Sequence, residues 1–411
     1  MNRSAELLDP VIMGNEITMY ALFSHLREHQ PVTYVEHPDY EPFWALTRHE
    51  DIKFISQNND RFLNNPRTVL VQKQFEEALL EQFGTRNGLE TLIHMDAPKH
   101  KKLRAVTREW FKPGPIGKLD TEIKKIAKEY VDKLEAQGGE CDFVQEISLL
   151  YPLRVIMSII GVEVEKEPLM LKLTQELFGG ADPNQARGEE VEDGLAVLMD
   201  FFAHFTALVE ERKKDPRDDL ASVLANALVD GEPMEELDQI SYFIIAATAG
   251  HDTTAATIAG GLKALIEHPE QLQKLQANPD LYNSAAREMI RWTSPVRHMM
   301  RTTTQDEVFQ GQQIAAGENI CLWYPAANRD ASALDNPDVF DIERDNKQQL
   351  AFGFGAHMCL GQHLAILEVE LFFRELLPRL KSIEMTQPPE WVQAVFVGGL
   401  RSMPVRYEFS I

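Results

Sequence analysis

Cys359 stands in the run Phe352-Gly353-Phe354-Gly355-Ala356-His357-Met358-Cys359-Leu360-Gly361. Glycines alternating with aromatics suit a tight loop whose backbone comes close to something flat and apolar. A helix with Leu364, Leu367 and Leu371 along one face is predicted directly after the cysteine. A thiolate at a helix N-terminus is stabilised by the helix dipole and by unpaired backbone N–H groups. One soft thiolate beside a planar apolar cradle suits haem iron. The alternative, a buried structural cysteine, leaves the Phe-Gly-Phe-Gly pattern and His357 unexplained.

Three further segments carry chemistry. From about Glu235 to Glu267 nothing stops a helix until His268-Pro269. Its middle reads Ala246-Ala247-Thr248-Ala249-Gly250-His251-Asp252-Thr253-Thr254-Ala255-Ala256. Small residues there let something approach the backbone closely. Gly250, Asp252, Thr253 and Thr254 are poor helix formers that can open a kink or groove. An acid next to an alcohol in an apolar helix is costly unless used or satisfied. Proton delivery to bound oxygen and a capped or bent core helix are both open readings. Glu288-Met289-Ile290-Arg291 puts an ion pair on one helix face, a spacing too common to signify much alone. His100 and Arg104 share a face of a helix that follows Asp96-Ala97-Pro98, and Lys99 to Lys118 holds seven Lys/Arg against one acid, Glu109. That stripe is either a solvated face or a pair of anion ligands beside a docking patch.

The elements that must position these groups are mainly helical. Helical periodicity dominates from about Asp96 to Glu267, interrupted at Pro113-Gly114-Pro115, Gly138-Gly139, Gly179-Gly180 and Gly231-Glu232-Pro233. Short strands are predicted at Val32 to Val35 and Trp44 to Thr47, with strand-like sequence from 295 to 325 around a turn at Gln310-Gly311-Gln312. The tail from Val395 to Phe409, with Gly398-Gly399, suits a final hairpin. Nothing in the 411 residues marks a linker or repeat, so one domain, 1–411, is expected.

Composition narrows the function. Three cysteines, Cys141, Cys321 and Cys359, are too scattered for a disulfide framework or zinc site and fit a reducing compartment. Met1 to Glu16 lacks the apolar core of a signal or anchor, and the longest apolar run, Phe243 to Gly250, is far short of a membrane span. A soluble, cytoplasmic protein is expected. The net charge of −23 opposes general binding to nucleic acid or anionic membrane.

In their order along the chain, these segments resemble the cytochrome P-450 superfamily of haem-thiolate monooxygenases. The resemblance runs from about Phe43 to Val405, and the cysteine run is its most specific part. It implies a mainly α fold with minor β sheets, holding haem b between a long central helix and the cysteine-loop helix. By the resemblance Cys359 is the iron ligand, and Asp252 and Thr253 form the acid–alcohol pair for oxygen activation. His100, Arg104, Arg301 and His357 fall where the family binds haem propionates, apt partners for carboxylates. Phe352 packs beneath the haem, and Gly361 belongs to the same cofactor loop. Glu288 and Arg291 form a structural network, with Arg344 as its third member.

Within the superfamily the chain is similar to the bacterial α-terpineol monooxygenase type, with departures at Asn65 to His94 and Gly179 to Leu195, segments that cover the substrate. The resemblance sets Ile245, Thr248, Ala249, Val296, Met299, Phe396 and Val397 around the substrate. Six of these seven are apolar and none is charged. The implied reaction inserts one atom of O₂ into a C–H bond of a small neutral terpenoid or alkyl-aromatic; a larger terpenoid or steroid is the runner-up. Because the chain has no flavin or nicotinamide fingerprint, electrons must come from a partner. A [2Fe–2S] ferredoxin with its NAD(P)H reductase is expected, docking on Lys101, Lys102, Arg108 and Lys112 of a monomer. A peroxide-driven peroxygenase and a non-catalytic haem sensor or carrier are the rival classes.

Overall fold

The elements that follow are those of a computed structural model, which describes residues 3–88, 90–178, 182–188 and 190–410. In chain order they are α1 (Glu16–His29), β1 (Val32–His37), β2 (Tyr40–Leu46), β3 (Phe62–Leu63), α2 (Lys99–Arg108), α3 (Asp120–Ala136), β4 (Glu140–Asp142), α4 (Leu150–Ile160), α5 (Glu167–Phe178), α6 (Val191–Lys214) and α7 (Glu236–Glu267). Then come α8 (Tyr282–Thr293), β5 (His298–Thr303), β6 (Glu307–Phe309), β7 (Gln312–Ile314), β8 (Asn319–Trp323), α9 (Gln362–Leu376), β9 (Leu380–Met385), β10 (Glu390–Trp391), β11 (Leu400–Ser402) and β12 (Pro404–Phe409). The fold is mainly α with small sheets, as the sequence implied.

The 32-residue α7 is the axis of the helical layer, about 48 Å long at 1.5 Å per residue. Its first turn carries Glu236 and Asp238, favourable at the positive end of the dipole. It stops at His268, where the following Pro269 disfavours helical backbone. Helix α7 is continuous through Gly250 to Thr254. Three of its threonines are satisfied within the helix, for Thr248, Thr253 and Thr257 donate to the carbonyls of Ile244, Ala249 and Thr253. What approaches the small residues is another helix. A Cβ on Gly250 would come within 2.9 Å of Ile156 on α4. Gly260 and Gly261 admit Thr293 and Met289 of α8, at 2.5 and 2.8 Å from a Cβ built there.

A five-stranded sheet runs in the order β1-β2-β8-β5-β3. Here β2 pairs with β8 in parallel, Phe43 opposite Asn319 and Leu46 opposite Leu322. Strand β5 lies antiparallel to β8, with Arg301 opposite Ile320. The turn at Gln310-Gly311 joins β6 to β7 as expected. The hairpin forms from other residues than expected, β10 pairing antiparallel with β11 across residues 392–399. Residues of the tail are split between two sheets, β11 pairing with β10 and β12 lying between β9 and β4. Gly398 and Gly399 instead pack tightly against Arg297 and Ala256, where a side chain would collide. Pro113-Gly114-Pro115 starts a short helix rather than breaking one, because proline is well suited to a first helical position. Gly179-Gly180 lie outside the described residues.

Candidate active site

The cysteine loop is shaped by two glycines in left-handed backbone, Gly353 at φ +68° and Gly355 at φ +73°. A Cβ on Gly355 would strike the carbonyl of Ser56, so only glycine passes this point. The loop closes with the Cys359 N–H donating to the Phe352 carbonyl at 2.8 Å. Helix α9 begins just beyond, with Gly361 as its N-cap. Cys359 is exposed, and its thiol is unpaired. Burial pushes the thiol up, opposed by the Gly361 N–H and the Arg104 charge.

Four nitrogen-bearing side chains gather beside this loop. The rings of His100 and His357 stack at 3.9 Å between centroids. Arg104 donates to the Met358 carbonyl at 2.5 Å. Arg301, 3% exposed on β5, donates to the Met300 carbonyl, and its Nε has no partner. Burial lowers the arginines Arg104 and Arg301 from their ordinary values. The histidines follow: His100 falls to about 4 through burial and the Arg104 charge, and His357 to about 2 through burial, His100 and the two arginines. No carboxylate forms an ion pair with any of the four among the described residues. The nearby Asp96 is engaged by the backbone N–H groups of Asn64 and Asn65.

On α7, Ala249 is exposed in the middle of an otherwise buried helix, and Ile245 and Thr253 flank it at helical spacing on the same face. Thr248 is set apart: it is buried by its neighbours. Asp252 is nearly buried, its Oδ1 is 3.3 Å from His251 Nδ1, and its Oδ2 has no partner. Burial raises the Asp252 carboxyl, opposed by His251. Val296 and Val397 pair as an isolated bridge, and the Phe396 carbonyl accepts the Arg297 N–H at 2.9 Å. Met299 is half-buried on β5.

The structural triad assembles as expected. Arg291 binds Glu288 through both carboxylate oxygens at 2.7 Å, and Arg344 Nε reaches Glu288 at 3.3 Å. On the outer face of α2, Lys101, Lys102 and Arg108 are exposed, as is Lys112 beyond the helix end. Lys102 and Lys112 pair with Asp230 and Glu109, whereas Lys101 and Arg108 have no ion-pair partner among the described residues. Sequence reasoning passed over Arg297 and His298, both buried on the stretch leading into Arg301. His298 accepts from the Leu70 N–H at Nε2 and donates from Nδ1 to the Val395 carbonyl. Two basic residues inside an apolar strand, Val296-Arg297-His298-Met299-Met300, were the available signal.

These residues fit haem. An exposed, unpaired thiol at the end of a glycine-shaped loop supplies one soft ligand. A cluster of cation-forming groups without a carboxylate of its own, with His100 Nε2 and Arg301 Nε idle, suits two propionates.

A family model described as Cytochrome P450 matches residues 37–397. The chain is 40% identical over 404 residues to Cytochrome P450-terp of Pseudomonas sp, covering 96% of this chain and 94% of that protein. It is 30% identical to the Linalool 8-monooxygenase of Pseudomonas putida, covering 97% and 98%. The crystal structure of CYP108D1 from Novosphingobium aromaticivorans superposes with a TM-score of 0.91 at 40% identity, covering 98% of this chain and 97% of that one.

Proposed function

Because the chain belongs to the cytochrome P450 family and is a haem-thiolate monooxygenase with O₂ as co-substrate, we propose that it hydroxylates an apolar C–H bond of a small neutral terpenoid or alkyl-aromatic. The observation that carries this reading is the uncharged face that Ile245 and Ala249 present on α7; Val296, Met299, Phe396 and Val397, which the resemblance sets around the substrate, add only apolar side chains. Such a wall binds hydrocarbon by burying it, at roughly 25 cal/mol per Å², and offers nothing to a carboxylate. Relatives named for terpenoid chemistry point the same way. Thr248 contributes no orienting hydroxyl in this reading, since its hydrogen is committed to Ile244.

Haem b, when bound, supplies the oxygen-activating iron; the chain supplies the setting. Cys359 would hold the iron, with Phe352 beneath the ring and His100, Arg104, Arg301 and His357 on the propionates. Asp252 and Thr253 hold and pass protons, a role that a peroxygenase or a haem carrier has no need of. Electrons come from a separate partner, and a [2Fe–2S] ferredoxin with its NAD(P)H reductase suits the cationic residues Lys101, Lys102, Arg108 and Lys112. The chain works as one domain and a monomer. No helix among the described residues is long and apolar enough to cross a membrane, and the unpaired cysteines suit the cytoplasm.

A second reading is favoured by relatives named steroid C26-monooxygenase, one of them 36% identical over 325 residues. Spectral titration of the holoprotein with a monoterpene alcohol, an alkylbenzene, a steroid and a long-chain fatty acid separates the two. Tight high-spin shifts are expected with the first two ligands. Shifts with the steroid alone transfer the assignment to the second reading, and shifts with the fatty acid alone refute both.

A further inference from the structure

His251 is fully buried on α7, directly before Asp252. Its Nε2 lies 2.7 Å from the Leu149 carbonyl oxygen. A carbonyl only accepts, so Nε2 carries a proton. Its Nδ1 lies 3.1 Å from Thr174 Oγ1 and 3.3 Å from Asp252 Oδ1. The single Thr174 hydroxyl hydrogen has a competing acceptor, the Leu171 carbonyl at 3.0 Å. A neutral imidazole beside an ionised Asp252 would therefore turn the Nδ1 lone pair toward a carboxylate oxygen. In a buried place that contact is repulsive. It becomes attractive when one more proton is present, on Nδ1 or on Oδ1.

We propose that His251 is a positioning residue that shares one proton with Asp252, so that the pair, not the carboxyl alone, stores the proton passed toward Thr253. This rests on the reading of Asp252 and Thr253 as the proton-handling pair. The proton balance is simple. The pair gives up one proton and is left as neutral imidazole and carboxylate, and one proton from water restores it. Asp252 lines a crevice together with Gln145, Gln175, Gln185 and Arg401, which is the side from which this proposal brings the water. Arg401 is the charged group there, and it is held by Asp182 at 3.2 Å and Glu390 at 2.9 Å. Burial favours the protonated carboxyl, which keeps the proton on the pair. The other contacts of the ring, to Thr174 on α5 and Leu149 before α4, hold it in place with Nδ1 3.3 Å from the acid.

The test has two arms. In the ferrous–carbonyl holoprotein with ¹⁵N-labelled histidine, the His251 signals, identified by their loss in His251→Gln, should report protonated Nε2 and a proton shared at Nδ1. Asp252→Asn should shift the Nδ1 signal. A bare Nδ1 that ignores Asp252→Asn overturns the proposal without any appeal to turnover. In the reconstituted system, His251→Gln keeps a donor for Leu149 but cannot hold the second proton. It should lower kcat roughly tenfold, below the usual range for outright loss of a general acid, with KM and the substrate-induced spin shift unchanged and a larger solvent isotope effect. Impaired Asp252→Asn beside normal His251→Gln overturns the sharing alone. Normal Asp252→Asn removes the acid role itself, and this inference with it.

Discussion

Arg291 and Arg301 are both buried, and their surroundings differ in one respect. Arg291 has its counter-charge inside the chain: Glu288 grips it with two oxygens, and the carbonyls of Asn328 and Pro337 take further N–H groups at 2.8 Å. Arg301 has one carbonyl, the Tyr324 side chain and an idle Nε, beside the cationic Arg104 and two histidines that burial keeps neutral. A buried cation that is neutralised within the protein belongs to the fold. One that is not belongs to something the chain binds, since an uncompensated buried charge is among the costliest features a protein can keep.

The contrast breaks most sharply at Glu288. Glu288→Ala strands Arg291 and Arg344, and should cost about 3–5 kcal/mol, read as a fall in Tm or a failure to accumulate. An unchanged Tm would place Arg291 in the same class as Arg301. Arg301→Met should behave oppositely. It removes an unsatisfied charge, so the haem-free protein should melt no lower than the parent. Haem retention should nevertheless weaken, because a charge-assisted bond is worth about 1.5–3 kcal/mol, roughly tenfold or more in dissociation rate. Transfer of haem to an acceptor protein measures that rate, and equal rates would sink the anion-site reading.

His298 sharpens the comparison on the same strand. Burial holds it neutral, lowering it from 6.5 to about 3. The unfolded chain therefore binds a proton here that the folded chain refuses. Stability should rise with pH between about 3 and 6.5 and gain nothing from this group above that window. His298→Asn should flatten the slope of unfolding free energy against pH within the window, whatever its effect on absolute stability. The smallest effect is expected at the surface. Lys101→Glu with Arg108→Glu should slow ferredoxin-driven reduction a few-fold at low salt, with the difference fading as salt screens it, while dithionite reduction stays intact. Reduction insensitive to both changes moves the docking face elsewhere.

The cysteine loop, α7 and the Glu288–Arg291 pair could be located from the sequence because each is local: glycine placement, periodicity and i, i+3 spacing lie within a few residues. The split of the tail could not be seen. Gly398-Gly399 reads as a turn, and only the side chains of Arg297 and Ala256, brought up from distant elements, turn it into a packing site. Gly250 was similarly ambiguous, its close neighbour Ile156 lying on another helix. His251 looked like one more polar residue in an odd helix. Its significance depends on Leu149 and Thr174, which no local pattern connects to it.

The parallel pairing of residues 43–46 with 319–322 also has a bearing on how the molecule comes into being. Joining chain segments so far apart closes a very large loop, and contacts of that range form late and slowly. Strand β5, which carries Arg301, is registered against β8. The helical layer can therefore gather first, while the cofactor's anchoring wall waits for the long closure. Refolding followed by helix content should run ahead of refolding followed by haem capture, and the interval between them is the lifetime of a nascent, empty-handed enzyme.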